Sequence, residues 1–138
     1  MNILFVCVGN ACRSPMAEAL FNYESKKLGR SDIARSAGIR PFLPVLSEPR
    51  IVLKEIGVNM DGHNSKPLST EMVDWADKII LLDRGIKEDL VNLSLNNEDK
   101  IIVWDIEDPF NMPLSRYRRI RDELQQRILD FFNCSLRS

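Results

Sequence analysis

Residues 2–17 of the chain read NILFVCVGNACRSPMA: an apolar run, a short polar loop and the start of a helical pattern. A strand that leads at once into a helix places the loop between them at the positive end of that helix. Five residues separate Cys7 from Arg13 in this loop. Such a loop can point its backbone N–H groups around a phosphate, with a cysteine beneath the phosphorus and an arginine gripping two oxygens. These positive surroundings favour a thiolate, so the pattern predicts cysteine-based phosphoryl transfer.

The spacing of Cys7 and Arg13 also has an ordinary explanation, because a buried core cysteine and a surface helix arginine can occur there by chance. Residues inside the loop favour the catalytic interpretation. Gly9 has no side chain where backbone would approach a ligand, and Asn10 tolerates the left-handed conformation that an anion-binding loop needs. The residues expected to contact phosphate are Val8, Gly9, Asn10, Ala11, Cys12, Arg13 and Ser14.

The composition is that of an ordinary globular chain, with 138 residues, 44% hydrophobic and 28% charged residues, and a formal net charge of −1. We expect one domain spanning residues 1–138, a monomer, with no nucleic-acid or membrane partner, because no global field favours either. The absence of a signal-peptide pattern predicts a cytoplasmic location. An odd number of cysteines (three) and a single histidine argue against a disulfide framework and a metal cluster, so we expect no metal and no cofactor.

Short apolar runs alternate with helical patterns along the chain, which predicts an α/β fold with a four-stranded parallel sheet flanked by helices on both faces. The predicted strands cover about residues 2–7, 33–36, 78–82 and 100–104. The predicted helices cover about residues 15–28, 49–56, 69–75 and 84–93, followed by a long amphipathic helix with the apolar stripe Tyr117, Ile120, Leu124, Ile128 and Phe131. Cys134 follows this stripe and is expected to be an uninvolved thiol.

Capping residues mark the ends of several predicted helices. Ser14 is the predicted N-cap of the first helix, with Pro15 as its first residue, and Gly29 is predicted to end it. The N-cap of the third helix is either Ser69 or Thr70, and the sequence is compatible with both.

Ligands of open parallel sheets bind beyond the carboxyl ends of the strands. Cys7 lies at that end of the first strand. The loops that follow the other strands, around Gly38, Asp83 and Asp108, are therefore expected to converge on it.

Displacement of an alkoxide or phenoxide from phosphorus needs an acid that protonates the leaving oxygen. Asp105, Glu107 and Asp108 all follow the fourth predicted strand. We favour Asp108 over Glu107, because Pro109 restricts the backbone of the residue before it. Pro109 and Phe110 are also expected to shield the carboxyl from water, and Phe110 could stack against an aromatic leaving group. An ordinary Asp-Pro turn is the alternative.

The loop at residues 7–14 and the Asp108-Pro109-Phe110 segment together resemble the low-molecular-weight protein tyrosine phosphatase family. That family opens with a strand, a Cys-x5-Arg-Ser loop and a helix, and carries its general acid in a late Asp-Pro-aromatic motif. Segments at 14–18, 36–38 and 57–68 are also similar to it, so the resemblance extends to about residue 132. The resemblance implies a Rossmann-like fold and hydrolysis of phosphomonoesters, with a phosphorylated protein or small aryl phosphate as substrate and phosphotyrosine preferred.

The resemblance also implies roles for individual residues. Cys7 would form a phosphocysteine, Arg13 would stabilise the equatorial oxygens, and Asp108 would act first as acid and then as base. Ser14 would assist departure of the thiolate, and a network that supports the loop would comprise Asn10, Ser14, Ser36 and His63, each of which could equally be a local turn, cap or core residue.

Cys12 has two interpretations. It could be a small packing residue, or, as the resemblance implies, a partner for Cys7 in a reversible disulfide that protects the nucleophile from over-oxidation.

The substrate-binding cleft departs from the family pattern. Ala11 stands where tyrosine phosphatases of the family carry a larger aliphatic residue and protein arginine phosphatases carry threonine. The expected cleft wall, formed by Phe42, Leu43 and Phe110, is apolar and favours an aryl phosphate. A protein arginine phosphatase of the same fold is the alternative.

Two further functions fit the sequence less well. An arsenate reductase would need resolving cysteines after the third strand, where residues 81–85 contain none. A non-catalytic phosphate-binding module would need neither Cys7 nor Asp108.

Overall fold

The computed structural model describes residues 1–41, 43–88 and 98–137. As predicted, its centre is a parallel sheet of four strands, and their order is β2-β1-β3-β4. The strands are β1 Asn2–Cys7, β2 Ile33–Gly38, β3 Lys78–Leu81 and β4 Ile101–Val103. In the sheet register Cys7 pairs with Gly38 and Val6 pairs with Leu81, so the carboxyl ends of three strands lie side by side.

Helices cover both faces of the sheet. They are α1 Arg13–Lys27, α2 Ser47–Lys54, α3 Thr70–Trp75 and α4 Leu114–Arg137. Side chains of β1 alternate between the two faces: Ile3 and Phe5 belong to the core shared with α1, α2 and α4, whereas Leu4 and Val6 pack in the core under α3. This two-sided burial explains why the central strands are apolar throughout.

The apolar stripe of α4 differs from the prediction at its last position. Tyr117, Ile120, Leu124 and Ile128 are buried, but the next buried residue is Phe132, while Phe131 is only partly buried. Steps of four residues keep the stripe on one helix face, so Phe132 continues it. Both phenylalanines still contact Phe21 of α1, with ring centroids 4.8 and 6.2 Å away.

The start of α1 corrects one prediction. Cys12, not Ser14, occupies the N-cap position, and Ser14 is the second helical residue. The Ser14 hydroxyl is taken by other partners, described below, and cannot cap the helix. Pro15 is tolerated at the third position because the first four N–H groups of a helix have no intrahelical partner.

Other element ends differ by a few residues. α2 begins at Ser47, two residues before the predicted start, and Gly29 follows the C-cap Leu28 with a φ of +68° as predicted. Ser69 is the N-cap of α3, since its hydroxyl accepts a hydrogen bond from the backbone N–H of Met72 at 3.3 Å.

Within the predicted helix at 84–93, the described residues form a 3-10 turn over Arg84–Ile86 and helical residues 87–88. Its remaining residues lie outside the described part of the chain. Across the described residues, no helix has the length and apolar character needed to cross a membrane.

Candidate active site

The loop between β1 and α1 wraps around the sulfur of Cys7. The backbone N–H of Asn10 donates to Sγ at 3.2 Å, and the hydroxyl of Ser14 lies 2.9 Å from it. Both groups can donate hydrogen bonds to a thiolate, and the N-terminus of α1 adds positive potential. Cys7 is 2% exposed, at the carboxyl edge of the sheet. The loop therefore surrounds the Cys7 sulfur with the hydrogen-bond donors that a thiolate nucleophile needs.

Asn10 holds the shape of this loop. Its φ of +50° lies in the left-handed region, as predicted. Its Nδ2 donates to the hydroxyls of Ser14 at 2.7 Å and Ser36 at 3.1 Å, and its Oδ1 accepts from the backbone N–H of Lys66 at 3.0 Å. Gly38 allows this close packing, because a Cβ there would lie 2.9 Å from the Cβ of Asn10. The amide side chain thus connects three parts of the chain behind the loop.

Glu18 completes the support network, and sequence reasoning missed it. One carboxylate oxygen accepts from the hydroxyl of Ser36 at 2.9 Å, and the other lies 3.1 Å from Nδ1 of His63. Burial acts to raise the pKa of Glu18, but hydrogen bonds from His63 and Ser36 and the nearby His63 and Lys66 outweigh it, so the pKa is lowered. His63 therefore joins the predicted network through Glu18. The four-residue spacing of Ser14 and Glu18, which places them on one helix face, was the available signal.

Arg13 is fixed by loops that follow two other strands. Its Nη1 donates to the carbonyls of Leu82 at 3.0 Å and Ile106 at 2.9 Å, and lies 3.5 Å from Asp83. Its Nη2 lies 3.7 Å from a carboxylate oxygen of Asp108. The guanidinium is 4% exposed, so these contacts fix its direction. The predicted convergence of the loops after β1, β3 and β4 is confirmed.

Asp108 lies at the mouth of the loop, and Cys7 lies at its floor. Its Oδ1 accepts from the backbone N–H of Phe110 at 3.1 Å, which fixes the carboxyl in a turn. The side chain is 55% exposed, and Phe110 is itself 44% exposed. The expected shielding of this carboxyl by Pro109 and Phe110 is therefore wrong, because the turn directs it toward the open mouth.

The two competing carboxyl groups are engaged elsewhere. Glu107 pairs with Arg116 at 3.4 Å, and Asp105 pairs with Arg84 at 3.2 Å. Asp108 is the member of this set that lines the catalytic cavity.

The catalytic cavity has a volume of about 130 Å³. Leu43 and Phe110 form its apolar wall, as predicted, while Phe42 lies outside the described residues. The side chains of Asn10 and Ser14 hold the shape of the loop from behind, and the predicted contact of these two residues with phosphate stays a prediction. The loop residues that line the cavity are Cys7, Val8, Gly9, Ala11, Cys12 and Arg13.

Cys12 is buried next to the hydroxyl of Tyr117, with Sγ and the hydroxyl oxygen 3.9 Å apart. Burial raises the pKa of the Cys12 thiol to about 12. Cys7 and Cys12 are both free thiols, so the disulfide between them stays a prediction. Cys134 is an exposed free thiol on α4. Among the described residues, no group of His, Cys, Asp or Glu side chains is arranged to hold a metal ion.

A buried cysteine in an N–H-rich loop, an anchored arginine and a carboxyl across the mouth, all at the carboxyl edge of a parallel sheet, define a cysteine-dependent phosphatase. Residues 2–137 match the family described as low molecular weight phosphotyrosine protein phosphatase, and the chain belongs to that family.

Known proteins similar to this chain carry three kinds of name. A protein-arginine-phosphatase of Geobacillus stearothermophilus is 39% identical over 136 residues, covering 89% of this chain and 88% of that protein. An arsenate reductase 2 of Staphylococcus haemolyticus is 30% identical over 129 residues, covering 94% of each. The crystal structure of a low molecular weight protein tyrosine phosphatase from T. tengcongensis has a TM-score of 0.91 and 38% identity, covering 96% of this chain and 98% of its own.

Proposed function

We propose that the protein is a protein tyrosine phosphatase that hydrolyses phosphomonoesters through a phosphocysteine, with phosphotyrosine in proteins as the preferred substrate. One observation carries this proposal. The cavity that exposes the Cys7 sulfur also exposes Arg13 and Asp108, so nucleophile, phosphate clamp and acid face one small space. We assign the enzyme to the cytoplasm, since a nucleophilic thiol needs a reducing compartment. We also propose that it is a monomer.

The first step transfers the phosphoryl group to sulfur. The Cys7 thiolate attacks phosphorus as the bond to the ester oxygen breaks, and that oxygen takes a proton from the carboxyl of Asp108. Arg13 and the loop N–H groups stabilise the three equatorial oxygens. The products of this step are the free phenol and a phosphocysteine, with Asp108 left as a carboxylate.

The second step returns the enzyme to its starting state. Asp108 accepts a proton from water as the water oxygen attacks phosphorus and the sulfur–phosphorus bond breaks. The Ser14 hydroxyl, 2.9 Å from the sulfur, donates to the departing thiolate. Inorganic phosphate is released, and Asp108 is again protonated.

The cavity wall supports an aryl phosphate. Leu43, Phe110 and Ala11 present apolar surface to the space above the loop. The phenyl ring of a phosphotyrosine can pack there without leaving a polar group unpaired. A phosphoarginine would bring a guanidinium to this wall, and among the described residues that line the cavity its N–H groups would find one carboxylate, Asp108.

A protein arginine phosphatase is the second candidate. The relative named protein-arginine-phosphatase at 39% identity favours it. Ala11 favours neither candidate, because it is smaller than the aliphatic residue of the tyrosine phosphatases and lacks the hydroxyl of the threonine in the arginine-specific branch. An arsenate reductase is disfavoured despite the similar protein of that name, because residues 13–133 contain no cysteine to relay a disulfide.

The decisive experiment measures phosphate release from two peptides of the same sequence, one with phosphotyrosine and one with phosphoarginine. We expect kcat/KM for the phosphotyrosine peptide to be higher by roughly tenfold or more, a difference of about 1.4 kcal/mol in transition-state binding. Cys7→Ser should abolish release, and Cys134→Ser, which changes the exposed thiol of α4, should leave it intact. The reverse substrate order would assign the second candidate, and full activity in Cys7→Ser would contradict the mechanism.

A further inference from the structure

A second and larger cavity lies behind the catalytic loop. It is an open groove of about 720 Å³ between α1 and residues 57–66, which we call the rear groove. Its walls include Glu18 and Lys26 of α1, Arg35 of β2, residues 57–64 and Lys66. It shares no residue with the catalytic cavity. A volume of this size is within the range of small-molecule sites.

His63 leaves a buried polar atom unused in the wall of this groove. Its side chain is 6% exposed and its Nδ1 is engaged by Glu18. Its Nε2 has no hydrogen-bond partner among the described residues. This nitrogen has almost no accessible surface, so a ligand in the open groove does not reach it.

The charges of the rear groove favour an anion. Lys26, Arg35 and Lys66 line it, and no ion pair involves any of them within the described part of the chain. The Arg35 guanidinium stacks on the Trp75 ring, 4.5 Å from its centroid, which leaves its N–H edge available.

Two carboxylates oppose these three cations. Glu18 is already engaged by Ser36 and His63, and Asp61 is the other acidic residue in the wall. The groove therefore has a surplus of positive charge.

The wall of the rear groove is also attached to the catalytic loop. The backbone N–H of Lys66 donates to Oδ1 of Asn10 at 3.0 Å, and the hydroxyl of Ser65 donates to the Asn10 carbonyl at 2.8 Å. A second connection leads from Glu18 through Ser36 to the same Asn10 side chain. The backbone N–H of Asn10 in turn donates to the Cys7 sulfur. A ligand that orders this wall would therefore order the loop.

We propose that the rear groove is a binding site for a small multivalent oxyanion, either phosphate- or carboxylate-bearing. Its oxygens contact Lys26, Arg35 and Lys66. Binding stiffens the support of Asn10 and raises the turnover of the enzyme. The binding half of this proposal does not depend on which phosphoester the catalytic site hydrolyses.

Binding is tested by calorimetric titration of the full chain, with the catalytic loop first occupied by vanadate so that it cannot take the probe. The probes are citrate and pyrophosphate, which separate the two sources of oxyanion. We expect at least one to bind with one site per chain and a Kd of about 1 mM or tighter. Lys26→Glu should weaken binding roughly tenfold or more, as expected for a lost charge contact at a built site.

Lys27→Glu is the matched control, because this neighbouring lysine of α1 does not line the groove. The charge change is the same as in Lys26→Glu. Because Lys27 does not contact the ligand, its loss should weaken binding by less than about threefold. Failure of both probes to bind, or equal losses in the two variants, would overturn the site.

The coupling is tested with an aryl phosphate and saturating citrate. We expect kcat of the wild type to rise about fivefold, the lower end of ordinary allosteric coupling. Lys26→Glu, which weakens citrate binding, should lose most of this response at the same citrate concentration. Binding of citrate with an unchanged kcat would overturn the coupling.

Discussion

The floor and the rim of the catalytic cavity contrast in burial and in bonding. On the floor, Cys7 is 2% exposed and is hydrogen-bonded within its own loop by Asn10 and Ser14. Arg13 is 4% exposed and donates to two carbonyls that lie 69 and 93 residues further along the chain. At the rim, Asp108 is 55% exposed and Phe110 is 44% exposed, and a local turn holds both.

The contrast separates chemistry from substrate choice. The floor is buried and each of its groups makes several hydrogen bonds. It therefore fixes the geometry of phosphoryl transfer, because its groups cannot move without breaking those bonds. An exposed rim contacts only the part of the substrate beyond the phosphate. Substitutions on the floor should therefore remove activity, and substitutions at the rim should change which substrate is preferred.

Of five substitutions in and around the catalytic cavity, Arg13→Lys should have the largest effect on activity. A lysine ammonium cannot satisfy the Leu82 and Ile106 carbonyls and grip two phosphate oxygens at the same time. We expect kcat/KM to fall about 10³-fold with an aryl phosphate. Arg84→Lys, which changes an exposed arginine paired with Asp105, is the control and should stay close to wild type. Comparable losses in both variants would contradict the prediction that activity depends on the residues of the floor.

Asp108→Asn should reduce kcat by about 10²-fold, the usual contribution of a general acid. The loss should shrink as the leaving phenol becomes more acidic, because a good leaving group needs less protonation. Kinetics across a series of substituted phenyl phosphates measure this slope. Glu107→Gln, the neighbouring carboxyl paired with Arg116, should have the slope of the wild type. A slope that is the same in Asp108→Asn and wild type would assign the acid elsewhere.

Asn10→Ala tests whether the support of the floor matters as much as the floor itself. It removes the donors to Ser14 and Ser36 and the acceptor for Lys66. We expect a roughly tenfold loss of kcat and a fall of about 1–3 kcal/mol in the free energy of unfolding. Denaturant melts and steady-state kinetics measure both. Unchanged kcat with lost stability would make Asn10 purely structural.

Glu18→Gln should show a pH signature in stability. The pKa of Glu18 is lowered in the folded protein, so its stabilising contribution is present above the ordinary value of 4.5 and is lost as pH falls through the folded value. We expect the wild type to be more stable than Glu18→Gln by about 1 kcal/mol at pH 7. This difference should close below about pH 4.5 in urea melts. A constant difference across that range would show that the carboxylate charge contributes nothing.

Phe110→Ala should have the smallest effect on activity. The ring packs against the substrate and not against the reacting atoms, so KM for an aryl phosphate should rise about fivefold while kcat changes little. Met112→Ala removes a similarly exposed apolar side chain that does not line the cavity, and it should leave KM unchanged. Equal shifts in the two variants would indicate a general effect of surface polarity.

The parts of this site that the sequence predicts are those that depend on residue type and on the spacing between residues. Cys7, Arg13 and Asp108 were named from the loop and the Asp-Pro turn, and the structure places all three around one cavity. The alternation of strand and helix patterns likewise predicted the parallel sheet.

The missed parts depend on backbone atoms or on three-dimensional placement. The carbonyls that anchor Arg13 belong to Leu82 and Ile106, and any residue could supply a carbonyl there. The exposure of Asp108 depends on the direction of its turn, which an Asp-Pro pair does not determine. The displaced start of α1 has the same origin, because the partners of Ser14 become visible only when the loop is folded.

The anchoring of Arg13 has a consequence for how the enzyme is made. The two carbonyls that hold its guanidinium follow it by 69 and 93 residues in the chain. A chain emerging from the ribosome therefore exposes Cys7 early, long before the segments that orient its arginine have been translated. Synthesis proceeds at about 5–20 residues per second, so this interval lasts several seconds. During it the newborn chain has a thiol but no phosphatase site, and activity begins only when the last strand has docked.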